Sequence, residues 1–259
     1  MDFNLSEEHK LIRETVRDFA EREVKPLAKD LDEKGEFSIE LTKKIGELGL
    51  FGMYLPEKYD GGGMDTLSYI IAVEEMARID SSQAATLAAH NSLGIGPIYY
   101  FGSEEQKMKY LPKLCTGNHL WGFGLTEPDA GSDSRGTKTK AKLENGEWTI
   151  NGSKIFITNG SSELSLGSSV QAVTDIVDGK KIFSTILVDI GTEGFTTAQM
   201  HGKMMWRASD TAELYFDDCK VPKENLPGKI GEGSKIMLST LDNGRLSIAA
   251  IGLGLAQGA

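Results

Sequence analysis

Apolar side chains recur at helical spacing through roughly the first 120 residues. From Ser6 onward they lie three and four positions apart among charged residues, at Leu11, Ile12, Val16, Phe19, Ala20 and Val24. Pro26 is predicted to disturb this helix, because proline lacks the backbone N–H that a helix interior needs. End signals predict three more helices: Gly49 closes one, Asp65 caps the next, and Ser103 begins a capping box. This part of the chain is therefore predicted to be helical.

The segment from Ser82 to Leu93 differs from the other helices in having almost no polar face. Most of its side chains are short, among them Ala84, Ala85, Thr86, Ala88 and Ala89. A helix that is apolar on most sides is predicted to be buried. Short side chains on a buried helix either let another helix approach closely or leave room for a ligand. Taken alone, these residues favour close packing.

Period-two patterns and turn residues replace the helical pattern at about Trp121. Alternating runs predict strands over residues 148–150, 154–158, 183–188 and 213–216. Two Asn-Gly pairs, Asn145-Gly146 and Asn151-Gly152, are predicted to form hairpin turns. The result is a compact antiparallel β region, a small barrel or sandwich.

The helical pattern returns at about Glu232. Apolar residues cover most sides of the segment from Leu246 to Leu255, so this helix needs other helices around it. Because no sequence follows Ala259 to supply them, we expect either a truncated chain or an obligate partner.

Composition and charge exclude several classes of function. The 28 Lys+Arg and 38 Asp+Glu leave a net charge of -10, which attracts neither nucleic acid nor an anionic membrane. Cys115, Cys219 and four histidines show no metal-ligand spacing, so we expect two reduced thiols and no metal site. The start of the chain does not read as a signal peptide, and no apolar run reaches membrane-spanning length. A cytoplasmic protein, or a processed organellar one, is expected.

Two short segments carry residue types that suit a ligand site. In the turn from Leu125 to Asp133, hydroxyls and free N–H groups can meet an oxygen-rich ligand. A surface turn with self-satisfied side chains is the alternative. In the second segment, Phe156 and Thr158 are predicted to share one strand face, and an aromatic ring beside a hydroxyl suits a planar heteroaromatic ligand. The alternative is a strand that buries Phe156 in the core.

The order of the motifs is more specific than any one of them. Helices are followed by F-G-L-T-E-P-D-A-G-S-D, then N-G-S-K-I-F-I-T-N-G, then D-D-C-K-V-P-K-E-N-L and finally L-D-N-G-R. This series resembles the acyl-CoA dehydrogenase family, in particular its short-chain, butyryl-CoA-specific branch, from Met1 to Ala259. The resemblance implies an α+β multidomain fold with three parts: an N-terminal helical domain (1–120), a middle β domain (121–231) and the first helix of a C-terminal four-helix bundle (232–259).

The resemblance also implies FAD as the cofactor, an acyl-CoA thioester as the substrate and a set of site residues. The positions that match the family's cofactor-binding stretches are Phe123, Leu125, Thr126, Gly131, Ser132, Phe156, Ile157 and Thr158. Those that match its substrate contacts are Thr86, Ala89, Ser132, Asp242 and Arg245. From the residues alone, Asp242 and Arg245 are equally consistent with a helix salt bridge at i,i+3.

The family's reaction removes an α proton and transfers a β hydride to the flavin, and the proton needs a carboxylate base. From Arg245 to Ala259 this chain has no carboxylate. We therefore expect the base to lie beyond Ala259 and the 259-residue chain to be inactive alone. The resemblance also implies that the helix from Ser82 to Leu93 lines the acyl pocket, which replaces the interpretation from packing alone. The absence of arginine between Ser81 and Pro97 then argues against a dicarboxylic acyl group and favours a short, branched or cyclic one.

Further expectations follow from the same resemblance. The electron acceptor is an electron-transfer flavoprotein, and the intact protein is a homo-oligomer, a tetramer. Two alternatives stay open: an acyl-CoA oxidase or flavin monooxygenase on the same scaffold, and a non-catalytic fragment that binds acyl-CoA or flavin.

Overall fold

The computed structural model describes residues 4–259, and its first part is helical. The helices run over α1 Glu7–Phe19, α2 Lys25–Lys34, α3 Ile39–Glu47, α4 Thr66–Ala77, α5 Ser81–Ala89, α6 Ile95–Phe101 and α7 Glu104–Leu114. The predicted end signals are confirmed. Asp65 caps α4, Gly49 has a φ of 75° just after α3, and Ser103 and Gln106 form a reciprocal capping box on α7.

Pro26 disturbs the first helical segment as predicted, without ending it. A π-helical turn, Ala20–Val24, lies between α1 and α2, and Pro26 occupies the first turn of α2. There its missing N–H costs little, because the first N–H groups of a helix have no intrahelical partner. A second π turn, His90–Gly94, follows α5.

The middle of the chain is one curled sheet of seven strands. They are β1 Leu120–Gly124, β2 Lys140–Glu144, β3 Glu147–Thr158, β4 Ser165–Val177, β5 Lys180–Asp189, β6 Phe195–Gln199 and β7 Thr211–Pro222. The hydrogen-bonded order is β1-β4-β2-β3-β7-β6, and β5 pairs with β4. Most pairs are antiparallel, but β4 runs parallel to both β1 and β2, so the sheet is mixed.

One of the two predicted hairpin turns is wrong. Asn145-Gly146 joins β2 to β3 with positive φ at both residues, as a tight hairpin requires. Asn151-Gly152 instead lies inside β3, where the register against β7 shifts. The amide of Asn151 exchanges two hydrogen bonds with Asp218, at 2.9 and 3.0 Å. The pair therefore forms a β-bulge within one continuous strand.

The buried helix predicted from Ser82 is confirmed. Seven of the nine residues of α5 are buried, and α5 packs against α4 and against the last helix, α8 Gly233–Gly258. Other contacts join the helices to the sheet. Trp121 on β1 packs in one cluster with Tyr110 and Leu111 of α7 and with Leu187 of β5. These contacts hold β1 against α7 and β5.

Helix α8 is apolar on both sides, as its sequence predicts. One side packs on α4, α5 and β5 through residues that include Ile236, Met237, Ile251 and Gly254. The other side exposes Leu238, Leu246, Ile248, Leu253 and Leu255 to the extent of 42–54%. The described part of the chain therefore covers only one face of this helix.

Both cysteines are free and buried, as expected. Burial raises the pKa of the Cys115 thiol to about 12 and that of Cys219 to about 11, so neither forms a thiolate at neutral pH. Among residues 4–259, no helix combines the length and apolar character needed to cross a bilayer.

Candidate active site

A cleft of about 270 Å³ lies where the ends of β1 and β3 meet the helices α5 and α8. Its lining consists of Ala89, Leu93, Trp121, Phe123, Leu125, Thr126, Gly131, Phe156, Ile157, Thr158 and Leu241. The two segments selected from the sequence therefore form walls of one cleft. Seven of the eight residues predicted to bind a cofactor line it, together with Ala89 from the predicted substrate set.

Phe156 is the most unusual residue of this cleft. It has a φ of 62°, it lies where the register of β3 against β7 shifts, and the residue is 63% exposed. Lys154 and Ile157, which lie on either side of this bulge, are buried, with only 1% and 2% of their surface exposed. The alternative in which Phe156 fills the core is therefore wrong. Left-handed backbone at a bulky residue costs about 1–3 kcal/mol and is concentrated at functional sites.

The two threonines offer hydroxyl groups to the same space. Thr126 and Thr158 are both half-buried. Within residues 4–259, neither hydroxyl has a hydrogen-bond partner in the protein. The Thr126 carbonyl accepts a hydrogen bond from the N–H of Ile155 at 3.0 Å, so the backbone of one wall is tied to the other. Two free hydroxyls beside an exposed aromatic ring form a site for a flat, polar-edged ligand.

The turn after β1 is only partly in the cleft. Gly131 lines it, and a Cβ atom at that position would meet nothing within 4 Å. Ser132 is exposed and lies outside the lining.

The substrate residues predicted from the resemblance are not brought together in the same way. Ala89 lines the cleft, but Thr86 is fully buried and its hydroxyl donates to the Ser82 carbonyl of its own helix at 3.2 Å. Asp242 and Arg245 pair with each other and are about two-thirds exposed. Neither lines the cleft, whereas Leu241 does.

Three lining residues were not selected from the sequence. Leu93 and Leu241 are apolar positions within helical patterns, where nothing separates a ligand contact from core packing. The sequence pattern at Trp121 predicts only the start of the β region. Its indole N–H donates to Ser169 at 3.0 Å, which fixes the ring against the sheet.

The cleft has a neutral lining. No Asp, Glu, His, Lys or Arg is among its lining residues within the described part of the chain. A base for proton removal is therefore not among the groups that these residues bring to the cleft.

His90 supports the cleft from behind, in the π turn after α5. Its Nε2–H donates to the Leu114 carbonyl at 2.8 Å and its Nδ1 accepts from the N–H of Trp121 at 3.3 Å. The ring is fully buried and meets Phe51 edge-on at 4.8 Å. Burial lowers the pKa of His90 to about 4, so the imidazole stays neutral at neutral pH.

This burial predicts a pH dependence of stability. The unfolded chain binds a proton at His90 below about pH 6.5 and the folded chain only near pH 4, so His90 costs stability as pH falls between those values. From pH 7 to pH 5 that loss is about 2 kcal/mol. Urea unfolding of the wild type and of His90→Gln at both pH values isolates it. The variant is less stable at pH 7, and the difference narrows at pH 5; an equal difference at both pH values contradicts the assignment.

Two family models together match most of the chain, up to residue 219. The acyl-CoA dehydrogenase N-terminal domain matches residues 6–118, and the acyl-CoA dehydrogenase middle domain matches residues 122–219. The chain belongs to the acyl-CoA dehydrogenase family. The cleft lies between the two matched domains and the start of α8.

Curated relatives agree with the family models. The chain is 47% identical to a probable acyl-CoA dehydrogenase of Bacillus subtilis and 46% identical to a short-chain-specific acyl-CoA dehydrogenase of Clostridium acetobutylicum. Each match covers 100% of this chain and 68% of the relative. The chain thus spans about two-thirds of the length of these relatives.

Solved structures share the fold. Butyryl-CoA dehydrogenase from Megasphaera elsdenii superposes with a TM-score of 0.95 at 43% identity, over 100% of this chain and 68% of that one. A chain from a study of the electron transferring flavoprotein of Acidaminococcus fermentans gives 0.95 at 45% identity, over 100% and 67%. An acyl-CoA dehydrogenase of Bacillus anthracis complexed with FAD gives 0.89 at 40% identity, over 98% and 42%.

The residues of the cleft fit a flavin. A flavin offers a planar ring with hydrogen-bonding groups along its edge, and the cleft offers an exposed phenyl ring, two unpartnered hydroxyls and the open space beside Gly131. Aromatic rings favour offset or edge contacts with other rings. The strained exposure of Phe156 has a physical explanation if it packs against such a ring.

Proposed function

We propose that this chain binds FAD in the cleft between Thr126 and Thr158 and takes part in the α,β-dehydrogenation of a short, branched or cyclic acyl-CoA thioester. The observation that carries the proposal is the exposed ring of Phe156 on left-handed backbone, beside two hydroxyls without protein partners. Family membership supports it, and so does the FAD complex of the Bacillus anthracis relative.

Each residue of the cleft has a role that its environment supports. The hydroxyls of Thr126 and Thr158 hold the polar edge of the flavin, and Phe156 contacts its ring. Ala89, Leu93 and Leu241 supply apolar surface that excludes water from the acyl chain. FAD, when bound, supplies the two-electron acceptor for the hydride that leaves the β carbon.

Ser132, Asp242 and Arg245 are proposed to contact the coenzyme A part of the substrate. All three are exposed near the cleft rather than inside it, as contacts to a large polar group require. Arg245 offers a fixed cationic fork, which suits an anionic group. Thr86 is proposed to act through the shape of α5, since its own hydroxyl is occupied by Ser82.

The acyl group is proposed to be small and uncharged. The cleft has a neutral lining, so a dicarboxylic acyl group finds no cation in it. The carboxylate that removes the α proton is proposed to come from outside residues 4–259. The same family relationship supports an electron-transfer flavoprotein as electron acceptor and a tetrameric assembly.

The proposal is tested by titrating FAD into the wild type and into Thr158→Val, with binding followed by flavin fluorescence. Loss of one hydroxyl is expected to weaken FAD binding about tenfold, which corresponds to one hydrogen bond. Thr196→Val, which removes an exposed hydroxyl from β6, is the matched control and is expected to change nothing. Butyryl-CoA is then expected to perturb the flavin spectrum of the FAD-loaded wild type, and glutaryl-CoA much less.

Three results contradict the proposal. If Thr158→Val and Thr196→Val bind FAD equally well, the proposed cofactor site is wrong. If the wild type does not bind FAD, the proposed function is wrong. If glutaryl-CoA gives a stronger response than butyryl-CoA, the proposed substrate class is wrong.

A further inference from the structure

A buried ion pair lies directly behind the two walls of the cleft. Lys154 Nζ donates to Glu127 Oε1 at 2.8 Å, and the exposed fractions of the two side chains are 0% and 4%. Neither residue lines the cleft. Removing one partner of a buried pair leaves an uncompensated charge, while replacing both is often tolerated. A contribution to stability is therefore a weak explanation for this ion pair, and its location behind the cleft suggests a different role.

Glu127 connects three segments of the chain. Besides Lys154, its carboxylate accepts hydrogen bonds from the backbone N–H of Lys138 at 2.6 Å and of Thr139 at 3.0 Å. Its own N–H and carbonyl pair with Ala130, which closes the turn at Pro128. The carboxylate thus joins the turn after β1 to the start of β2 and to β3.

Lys154 makes the complementary connection. Its ammonium also donates to the Leu125 carbonyl at 3.3 Å, so it binds the turn on both sides of Thr126. The next residue, Ile155, donates its N–H to the Thr126 carbonyl at 3.0 Å. Phe156 follows at once, with its φ of 62°. Backbone strain persists only where the surroundings over-determine it, and here Lys154 is buried and bonded on one side while Ile157 is buried on the other.

The ionisation of the pair agrees with this geometry. Burial alone would raise the pKa of the Glu127 carboxyl, but the neighbouring ammonium and the hydrogen bonds hold it below its ordinary value. Burial lowers the pKa of Lys154 to about 8, against the opposing effect of Glu127. Both groups are charged at neutral pH.

We propose that Glu127 and Lys154 are positioning residues that set the spacing between the Thr126 wall and the Phe156–Thr158 wall, and with it the affinity for the flavin. The inference rests on the proposed function. It adds that two residues without contact to the ligand control its binding through the backbone of Leu125, Thr126 and Ile155.

A double-mutant cycle tests the inference, with thermal stability and FAD affinity measured on each variant. The single variants Glu127→Gln and Lys154→Met are expected to lose both, because each leaves a buried group unpaired. The double variant is expected to regain most of the thermal midpoint. Its FAD dissociation constant is expected to stay at least about tenfold above the wild type, because the bonds from the Lys154 ammonium to the turn are lost.

A matched control exists on the same turn. Asp129 and Lys138 form an ion pair at 2.7 Å in which both side chains are 68% exposed. Asp129→Asn is expected to change FAD affinity less than about twofold, since exposed pairs contribute little. If the double variant does not fold, Glu127→Asp replaces it. This variant keeps the charge but shortens the reach, and it is expected to fold and to bind FAD at least about fivefold more weakly.

Two outcomes overturn the inference. One is a folded double variant with the FAD affinity of the wild type. The other is a folded Glu127→Asp variant with unchanged FAD affinity. Either makes the pair purely structural. The proposed function is judged separately, by wild-type FAD binding and its loss in Thr158→Val.

Discussion

Replacing Asp210 by alanine is expected to lower the free energy of unfolding by about 3 kcal/mol, roughly 6–12 °C in thermal midpoint for a chain of this size. Asp210 is 1% exposed, and its carboxylate accepts from the N–H groups of Ser161 and Ser162 at 2.8 and 2.9 Å and from the Ser161 hydroxyl at 2.5 Å. Alanine leaves those donors without a partner, and buried unpaired donors cost about 1–3 kcal/mol each. The adjoining cleft admits water, which limits the loss.

The same substitution is expected to weaken FAD binding. The segment that Asp210 holds begins directly after Thr158, and the Asp210 carbonyl also accepts from the N–H of Asn159 at 3.1 Å. Thermal unfolding and FAD titration of Asp210→Ala, Asp210→Asn and Asp242→Ala check both effects. Asp242 is 67% exposed and paired at the surface, so its loss is expected to cost less than about 1 kcal/mol. Equal midpoints for Asp210→Ala and Asp242→Ala contradict the prediction.

The second large effect on stability is expected in helix α8, where two glycines only two positions apart are predicted to respond oppositely to alanine. A Cβ atom at Gly254 would lie 2.3 Å from the Glu74 carbonyl oxygen and 2.8 Å from the Ala77 Cβ, both on α4. Neither atom can move without displacing a helix, so Gly254→Ala is expected to destabilise the fold by about 3 kcal/mol. A Cβ atom at Gly252 would meet nothing within 4 Å. Gly252→Ala is therefore expected to stabilise by about 0.5–1 kcal/mol, through helix propensity.

Urea unfolding of the two alanine variants measures this contrast. The sign of the change in midpoint is expected to differ between them. Two variants that are destabilised equally contradict the packing of α8 on α4, because propensity alone favours alanine at both positions.

These glycines also show what the sequence could and could not predict. The helix itself follows from apolar spacing, as do the α1–α2 segment and the helices α3, α4, α5 and α7, whereas α6 was not predicted. Which glycine of the helix is in contact depends on how α8 rotates against α4, and no local pattern encodes that rotation. The two Asn-Gly pairs make the same point. Asn145 closes a hairpin, whereas Asn151 lies in a bulge that depends on Asp218, 67 residues away.

The candidate site was likewise predictable from the sequence only in part. Thr126, Phe156 and Thr158 were found because their motifs occur in a family-specific order, although each motif alone favoured a turn or a core strand. The exposure of Phe156 was not predictable from alternation, because it depends on a register shift against β7. The sequence did not predict that Glu127, Lys154 and Asp210 hold the walls of the site in place. Those residues act through backbone groups that lie far from them in sequence.

The central claim is that a flavin ring occupies the cleft between Thr126 and Thr158. A crystal structure of the protein grown with FAD tests it most directly. The account predicts density for the ring with its edge at the two threonine hydroxyls and with Phe156 in contact with it. Density for the flavin elsewhere, such as the cleft lined by Lys34, Ser161 and His201, or a cleft at Phe156 that holds only water, would contradict it.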